Sequence, residues 1–220
     1  MLLLTTSAYP TMLKWASPHH GRLLTPRHRS MPVATAEAGI PWAVDNDCFN
    51  GFNPGEFQKT CLQVMHLPGC LFVNAPDVFD KDGDCGCCHP SRGVGDHDAT
   101  LELWHEWYPF LRMIGQPLSF VLQNGATIDN VPWDQLDVVF IGGCTSWKLG
   151  IEAEAIVREA KRRGKWVHMG RVNSLKRMRY AAGIGVDSCD GTGWAKHRDA
   201  NMPLGLRAAA IPVQWQLDIT

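Results

Sequence analysis

Apolar residues fall in short runs separated by polar stretches with helical spacing. The runs cover 2–6, 42–44, 70–75, 118–122, 138–141, 166–169 and 185–188, with a last candidate at 210–217. Runs this short and this continuously apolar predict strands buried on both faces, as in a parallel sheet. The helical patterns between them have recognisable ends. Asn53 and Pro54 form an N-cap and first-turn pair ahead of 56–66, and Asp98 is placed to cap 99–114, which stops at Gly115. A helix over 150–163 stops at Gly164, and Ser174 can cap 175–182. Parallel strands need helical crossovers, so the alternation predicts an α/β fold. Seven or eight strands suit a single-domain (β/α)8 TIM-type barrel over 1–220, nearly minimal in size. A doubly wound open sheet is the alternative, but no Gly-rich fingerprint follows the first run. The segment 7–41, rich in Pro and His, is expected as a long functional loop. A Cys/His-rich insertion, 78–97, follows the third predicted strand.

Composition narrows the class without naming a function. The chain has 220 residues, 45% hydrophobic and 20% charged, enough to hide ~70% of its unfolded surface in one core. Disorder, collagen-like repetition and coiled coil are excluded. No run approaches the ~18 apolar residues of a membrane span. The opening 1–6 lacks the basic start of a signal peptide, so a cytoplasmic location is expected. The net charge of -1 hides local asymmetry. Basic stretches at 19–29, 161–165 and 176–179 could face a polyanion, or could be solvated helix faces and helix C-termini. Acidic residues concentrate between Asp77 and Glu106.

Eight cysteines in such a chain argue for thiols or metal ligands before disulfides. Cys48, Cys61, Cys70, Cys144 and Cys189 sit in apolar contexts and are expected as small core residues. Cys85, Cys87, Cys88 and His89 crowd one loop, with His97 further on. They are a candidate structural zinc quartet, the alternative being a thiol-rich loop without metal. A calcium loop beginning at Asp80 is set aside, because Cys85 and Ser91 stand where Gly and Glu are required.

The chemistry collects directly after the apolar runs. Asp45, Asp77, Gln123 with Asn124, Gly142 with Gly143, Gly170 and Asp190 each follow one. In a parallel barrel these positions share the C-terminal rim, where active sites are built. A lone Asp after a strand is usually a helix N-cap, but none of these three precedes an obvious helix.

Five segments in order carry a family resemblance: AVDNDCFNG, VNAPD, VLQNG, FIGGC and VHMGRVNSLKRMRYAAGIGVDSCDGTGW, spanning most of 42–194. They resemble the tRNA-guanine transglycosylase superfamily. The opening HHGRLLTPR and the GIPWA stretch before Asp45 are most similar to its shorter, phage-type members, the DNA-guanine transglycosylases. The chain departs from the tRNA enzymes in its length, in lacking their Cys-x-Cys-x-x-Cys zinc site, and in Asn46-Asp47-Cys48 where they carry Ser-Gly-Gly.

The resemblance implies exchange of guanine in DNA for a 7-deazaguanine such as the 7-cyano form, by double displacement through a covalent aspartyl-deoxyribose intermediate. Asp190 would be the nucleophile, and Asp187 of the same GVDSCD segment is the competing candidate. Asp45 would be the acid and base. Asp77, Gln123, Gly142, Gly143 and Met169, with Asp187, would bind the base, and Arg22, Arg27, Lys196 and Arg198 would contact phosphates. No cofactor is needed for that chemistry. The partners would be DNA, single-stranded or with a flipped base, and the free deazapurine, with no membrane; a homodimer is compatible with the family. tRNA as substrate, or a non-catalytic zinc-containing nucleic-acid module, are the alternatives.

Overall fold

Eight parallel strands close into a barrel: β1 (Leu2–Thr5), β2 (His20–Leu24), β3 (Trp42–Val44), β4 (Cys70–Asn74), β7 (Leu118–Leu122), β8 (Val138–Ile141), β9 (Trp166–Met169) and β10 (Ser188–Asp190). Each pairs in parallel with the next, and β10 pairs with β1 to close the ring. β5 (Val78–Asp80) and β6 (Val94–Asp96) form a separate antiparallel hairpin. The computed structural model describes residues 1–27, 32–88, 93–196 and 198–211. Among them no helix is long and apolar enough to cross a membrane.

The two-residue period of the strands sorts side chains between two cores. Leu4, Leu23, Ala43, Phe72, Val121, Val138 and Phe140 fill the barrel interior. Leu3, Leu24, Trp42, Val44, Val73, Val139, Ile141, Val167 and Met169 point outward, into the layer covered by helices. Those helices are α1 (Tyr9–Lys14), α2 (Pro32–Glu37), α3 (Pro54–Val64), α4 (His97–Ile114), α5 (Thr145–Lys148), α6 (Ile151–Arg162), α7 (Leu175–Gly183), α8 (Thr192–Ala195) and α9 (Arg198–Ala210). The barrel expectation therefore holds, with one strand in a different place.

That strand is β2. The segment 7–41, expected as a loop, is helix, strand and helix. Its strand sequence, HGRLL, carries a His, a Gly and an Arg, so it lacks the apolar run by which the others are legible. Gly21 faces inward because a Cβ there would lie 2.5 Å from Leu4 Cδ2. The candidate strand at 210–217 is not part of the barrel: Ala210 ends α9, and 212–217 lie outside the described residues. With β2 counted, the Cys-rich insertion follows the fourth barrel strand rather than the third.

Asn53 and Ser174 cap α3 and α7 as expected, accepting from the N–H groups of Glu56 and Arg177. For α4 the cap is Asp96, not Asp98: its side chain accepts from the Ala99 N–H at 3.0 Å, and the helix starts at His97, two residues before the expected Ala99. Asp96→Ala is therefore expected to cost about 1 kcal/mol in denaturant unfolding, with Asp98→Ala close to neutral. The reverse order would return the cap to Asp98.

Candidate active site

Six neighbouring strand ends bring the polar residues of the rim together. Asp45 follows β3, Asp77 follows β4, Gln123 follows β7, Gly142 and Gly143 follow β8, Gly170 and Arg171 follow β9, and Asp190 ends β10. Every strand is parallel, so these ends share one mouth.

Asp45 is only partly accessible, and its carboxyl is pushed up to about 7. Burial is the main cause, and the carboxylates of Asp190 and Asp77 add to it. The Asn74 Nδ2 amide donates to Asp45 Oδ1 at 3.4 Å, while the buried Asn74 Oδ1 has no hydrogen-bond partner among the described residues. An amide can turn either end toward Asp45, so it can serve the ionised carboxylate or accept from the protonated acid.

Asp77 is held by two side-chain amides. Asn46 Nδ2 donates to its Oδ1 at 2.8 Å and Gln123 Nε2 donates to its Oδ2 at 2.5 Å. Burial raises its pKa and these bonds oppose the rise. Gln123 is itself fixed from the other side, because the Gly143 N–H donates to its Oε1 at 2.9 Å. Asp77, Gln123 and Gly143 thus form one continuous wall. Gly95 of β6 lies against it, at a position where a Cβ would stand 2.0 Å from Gln123 Oε1.

Asp190 has a side chain 18% exposed at the mouth. Its Oδ1 accepts from the Arg171 backbone N–H at 3.2 Å, and its Oδ2 lies 3.0 Å from His168 Nε2. His168 is fully buried inside the barrel, tilted against Phe72 and Phe140. Behind it stands Ser188, whose Oγ lies 2.8 Å from His168 Nδ1 and accepts from Trp166 Nε1 at 3.0 Å. If the Ser188 hydroxyl donates to Nδ1, Nε2 is the nitrogen that carries hydrogen and donates to Asp190. A buried chain of hydrogen bonds thus aims the carboxylate.

Arg171 completes the mouth. It holds a left-handed backbone (φ 59°), and its guanidinium donates to the carbonyls of Gly142 and Gly143. The same guanidinium lies over the rings of Phe49 and Phe79, at 5.4 and 5.6 Å, and those two rings are 4.9 Å apart. Lys148 is buried behind the rim and donates to the Gly170 carbonyl at 2.7 Å, with its pKa driven well down by burial.

Several expected site residues fall elsewhere. Asp187 sits at the opposite end of the barrel wall, where Lys161 Nζ reaches both its oxygens at 2.8 and 2.7 Å, so it is not part of the mouth. Met169 is fully buried in the outward layer and supports the rim without lining it. Arg22 is 2% exposed and donates to Ser7 O and Thr35 Oγ1 beneath α2, out of reach of a phosphate. Arg27 pairs with Asp47 at 2.6 Å but stays half exposed near the rim, and Lys196 is exposed. Of Arg198, only its place at the start of α9 is described. Conversely, His168, Arg171, Asn46 and Asn74 were not among the candidates. The available sign was position: each sits in or beside a strand end that already carried an expected site residue.

The sulfur atoms of Cys85, Cys87, Cys88 and Cys144 all lie within 4.8 Å of one another, and this group could hold a metal ion. Cys144 therefore leaves the expected set of core thiols and joins the cluster, while His89 lies outside the described residues. Asn124 Nδ2 (3.3 Å) and the Trp147 N–H (3.4 Å) donate to Cys144 Sγ, and the Ser146 N–H donates to Cys88 Sγ (3.4 Å). Burial pushes the Cys144 thiol up, but the Asn124 and Trp147 donors and the Cys87 and Cys88 thiols outweigh it and draw it below its ordinary value. The other four, Cys48, Cys61, Cys70 and Cys189, are buried or half-buried free thiols, as expected.

The chain matches no known family profile and none of the curated proteins. Its chemistry is therefore argued from the mouth of the barrel.

Proposed function

We infer that this protein is a glycosyl-transferring enzyme that exchanges guanine in DNA for a 7-deazaguanine such as 7-cyano-7-deazaguanine. The observation that carries the reading is the unlike pair on one rim: Asp190, steadied by two donors, and Asp45, a carboxyl whose pKa of about 7 lets it cycle at neutral pH. A retaining exchange at a glycosidic carbon needs such a pair. The ordered sequence resemblance supports the same assignment.

In the first half, an Asp190 oxygen bonds to C1′ as the bond from C1′ to N9 breaks, and the Asp45 carboxyl gives its proton to the departing guanine. In the second, the Asp45 carboxylate takes the N9 proton of the incoming deazapurine. N9 then displaces Asp190 from C1′. Asp77 accepts from the N1–H and exocyclic amine of the base. The aromatic pair Phe49 and Phe79, beside the cationic Arg171, suits a flat purine. To bind a base carbonyl, Gln123 would offer the Nε2 hydrogen it does not donate to Asp77, or the Gly143 N–H would have to leave Gln123 Oε1. The target nucleotide must be flipped or single-stranded to reach the mouth. Of the expected phosphate contacts, Arg27 and Lys196 are the ones described as exposed and would meet phosphates. The cysteine cluster would hold a structural zinc, whose usual donors are thiolates of this kind.

The test is labelled-guanine exchange into purified DNA and, separately, into tRNA, with nucleoside mass spectrometry of both. Label in DNA alone supports the reading, and label in tRNA alone moves it to the tRNA reaction. DNA binding that falls steeply with salt and shows no exchange would make the protein a non-catalytic module. The wall gives a finer prediction: Gly95→Ala drives a methyl into the Gln123 amide and should weaken guanine binding about tenfold in calorimetry, the worth of one hydrogen bond. Unchanged affinity would remove Gln123 from base recognition.

A further inference from the structure

The cysteine cluster and the purine wall are built from the same two rim segments. Gln123 is in the wall and its neighbour Asn124 holds the cluster, its Nδ2 donating to Cys144 Sγ at 3.3 Å and its Oδ1 accepting from the Cys144 N–H at 2.8 Å. Gly143 is in the wall and its neighbour Cys144 supplies a sulfur. From the other side, the loop of the β5–β6 hairpin supplies Cys85, Cys87 and Cys88, while Gly95 of the same hairpin lies on the Gln123 amide. Among the described residues, that loop meets the rim where Cys87 Sγ lies 3.2 Å from Cys144 Sγ, the Ser146 hydroxyl donates to Cys87 O at 2.9 Å, Cys88 Sγ lies 3.2 Å from Ser146 Oγ, and the Ser146 N–H donates to Cys88 Sγ at 3.4 Å.

We propose that zinc bound by Cys85, Cys87, Cys88 and Cys144 clasps the β5–β6 hairpin to the loop after β8, and that this clasp holds the purine wall in its binding shape. A sulfur tetrahedron about zinc at ~2.3 Å has edges near ~3.8 Å, so from a Cys87–Cys144 separation of 3.2 Å and an outer limit of 4.8 Å the sulfurs need shift only slightly, one pair opening and others closing. The N–H donors to sulfur from Asn124, Ser146 and Trp147 are the kind that hold metal-bound thiolates in place. Without the ion, four sulfurs lose their common partner, and the Cys85–Cys88 end of the hairpin loses its tie to the loop after β8, while the strands keep their packing through Phe79 on Phe49 and the Val78 N–H bond to Thr100 Oγ1. The clasp acts on base affinity and not on the displacement itself, because Asp45 and Asp190 belong to strands that contribute no ligand. This deepens the purine-binding reading and rests on it.

The experiment compares protein as purified, stripped of metal, and reloaded with zinc chloride. Zinc content is measured by mass spectrometry, guanine affinity by calorimetry, and hairpin protection by hydrogen exchange. Loaded protein should carry one zinc per chain, and stripping should weaken guanine binding roughly 10–100-fold and loosen the β5–β6 amides, both restored by zinc. Cys144→Ser should behave as stripped protein. Asn124→Ala keeps all four thiols, so it should retain zinc yet lose guanine affinity, separating the coupling from a failure to fold. Absence of zinc from the loaded protein overturns the clasp. Equal guanine affinity and equal protection with and without zinc overturn the coupling. Zinc-dependent protection of the hairpin without any guanine binding would leave the clasp standing and refute the purine reading instead.

Discussion

In the proposed guanine exchange, Asp190→Asn protein is expected to react on the order of 10⁴-fold more slowly than the unaltered chain, or not at all. The substitution keeps the shape of the side chain, and its carbonyl oxygen can still accept from His168 or from the Arg171 backbone N–H. What it removes is the anion that, in the proposed reaction, would form the bond to C1′. Incubation with DNA in the absence of incoming base should trap a protein–DNA adduct that survives denaturing gel electrophoresis, and the asparagine variant should trap none. Asp187→Asn is the informative control, because that residue is bound to Lys161 away from the mouth. It should keep both exchange and adduct. An adduct that survived Asp190→Asn and vanished in Asp187→Asn would reverse the assignment.

The second large effect concerns pH. Asp45 has a folded pKa of about 7 against 3.8 when unfolded, so between those values the native state binds more protons than the unfolded chain. Its ionisation therefore destabilises the fold. The penalty is absent near pH 4, grows as pH rises, and is complete above about 7. Asp45→Asn removes it, so the variant should exceed the parent in stability by roughly 2–4 kcal/mol at pH 8 and by almost nothing at pH 4. The difference between the two proteins is the quantity to measure in denaturant titrations. His20 and His97, lowered by burial, act in the opposite direction below pH 6.5 but equally in both. A gap independent of pH would show that Asp45 is ionised throughout. In the exchange assay the same carboxyl should impose a limb that falls above about pH 7, as the protonated acid is lost. The variant gains stability where it loses catalysis, as expected for a site that gathers Asp45, Asp77 and Asp190 on one rim.

Much of this site was legible because a parallel barrel converts sequence order into place. Asp45, Asp77, Gln123, Gly143 and Asp190 each follow an apolar run, and every run delivers its end to the same face. The failures share a physical cause. Arg22 looked like a surface cation because a sequence shows charge and not cover; α2 lies over it and gives it Thr35 as a partner. Met169 lies in the outward layer because one residue of register along β9 reverses the face. His168, one step earlier, faces inward by the same rule and meets Asp190 across the neighbouring strand.

The order of apolar runs and capped helices by itself determined a parallel α/β sheet buried on both faces and favoured a barrel over a doubly wound sheet, because parallel strands need helical crossovers that cover them. Closure was decided by the tertiary structure. That order also determined that the carboxylates would share a rim. Only the tertiary structure decided which strand completes the ring, which aspartate of GVDSCD reaches the mouth, and that Cys144 meets Cys87 from 57 residues away. Those outcomes depend on close contacts between segments distant in the chain, and no local pattern of polarity records such contacts.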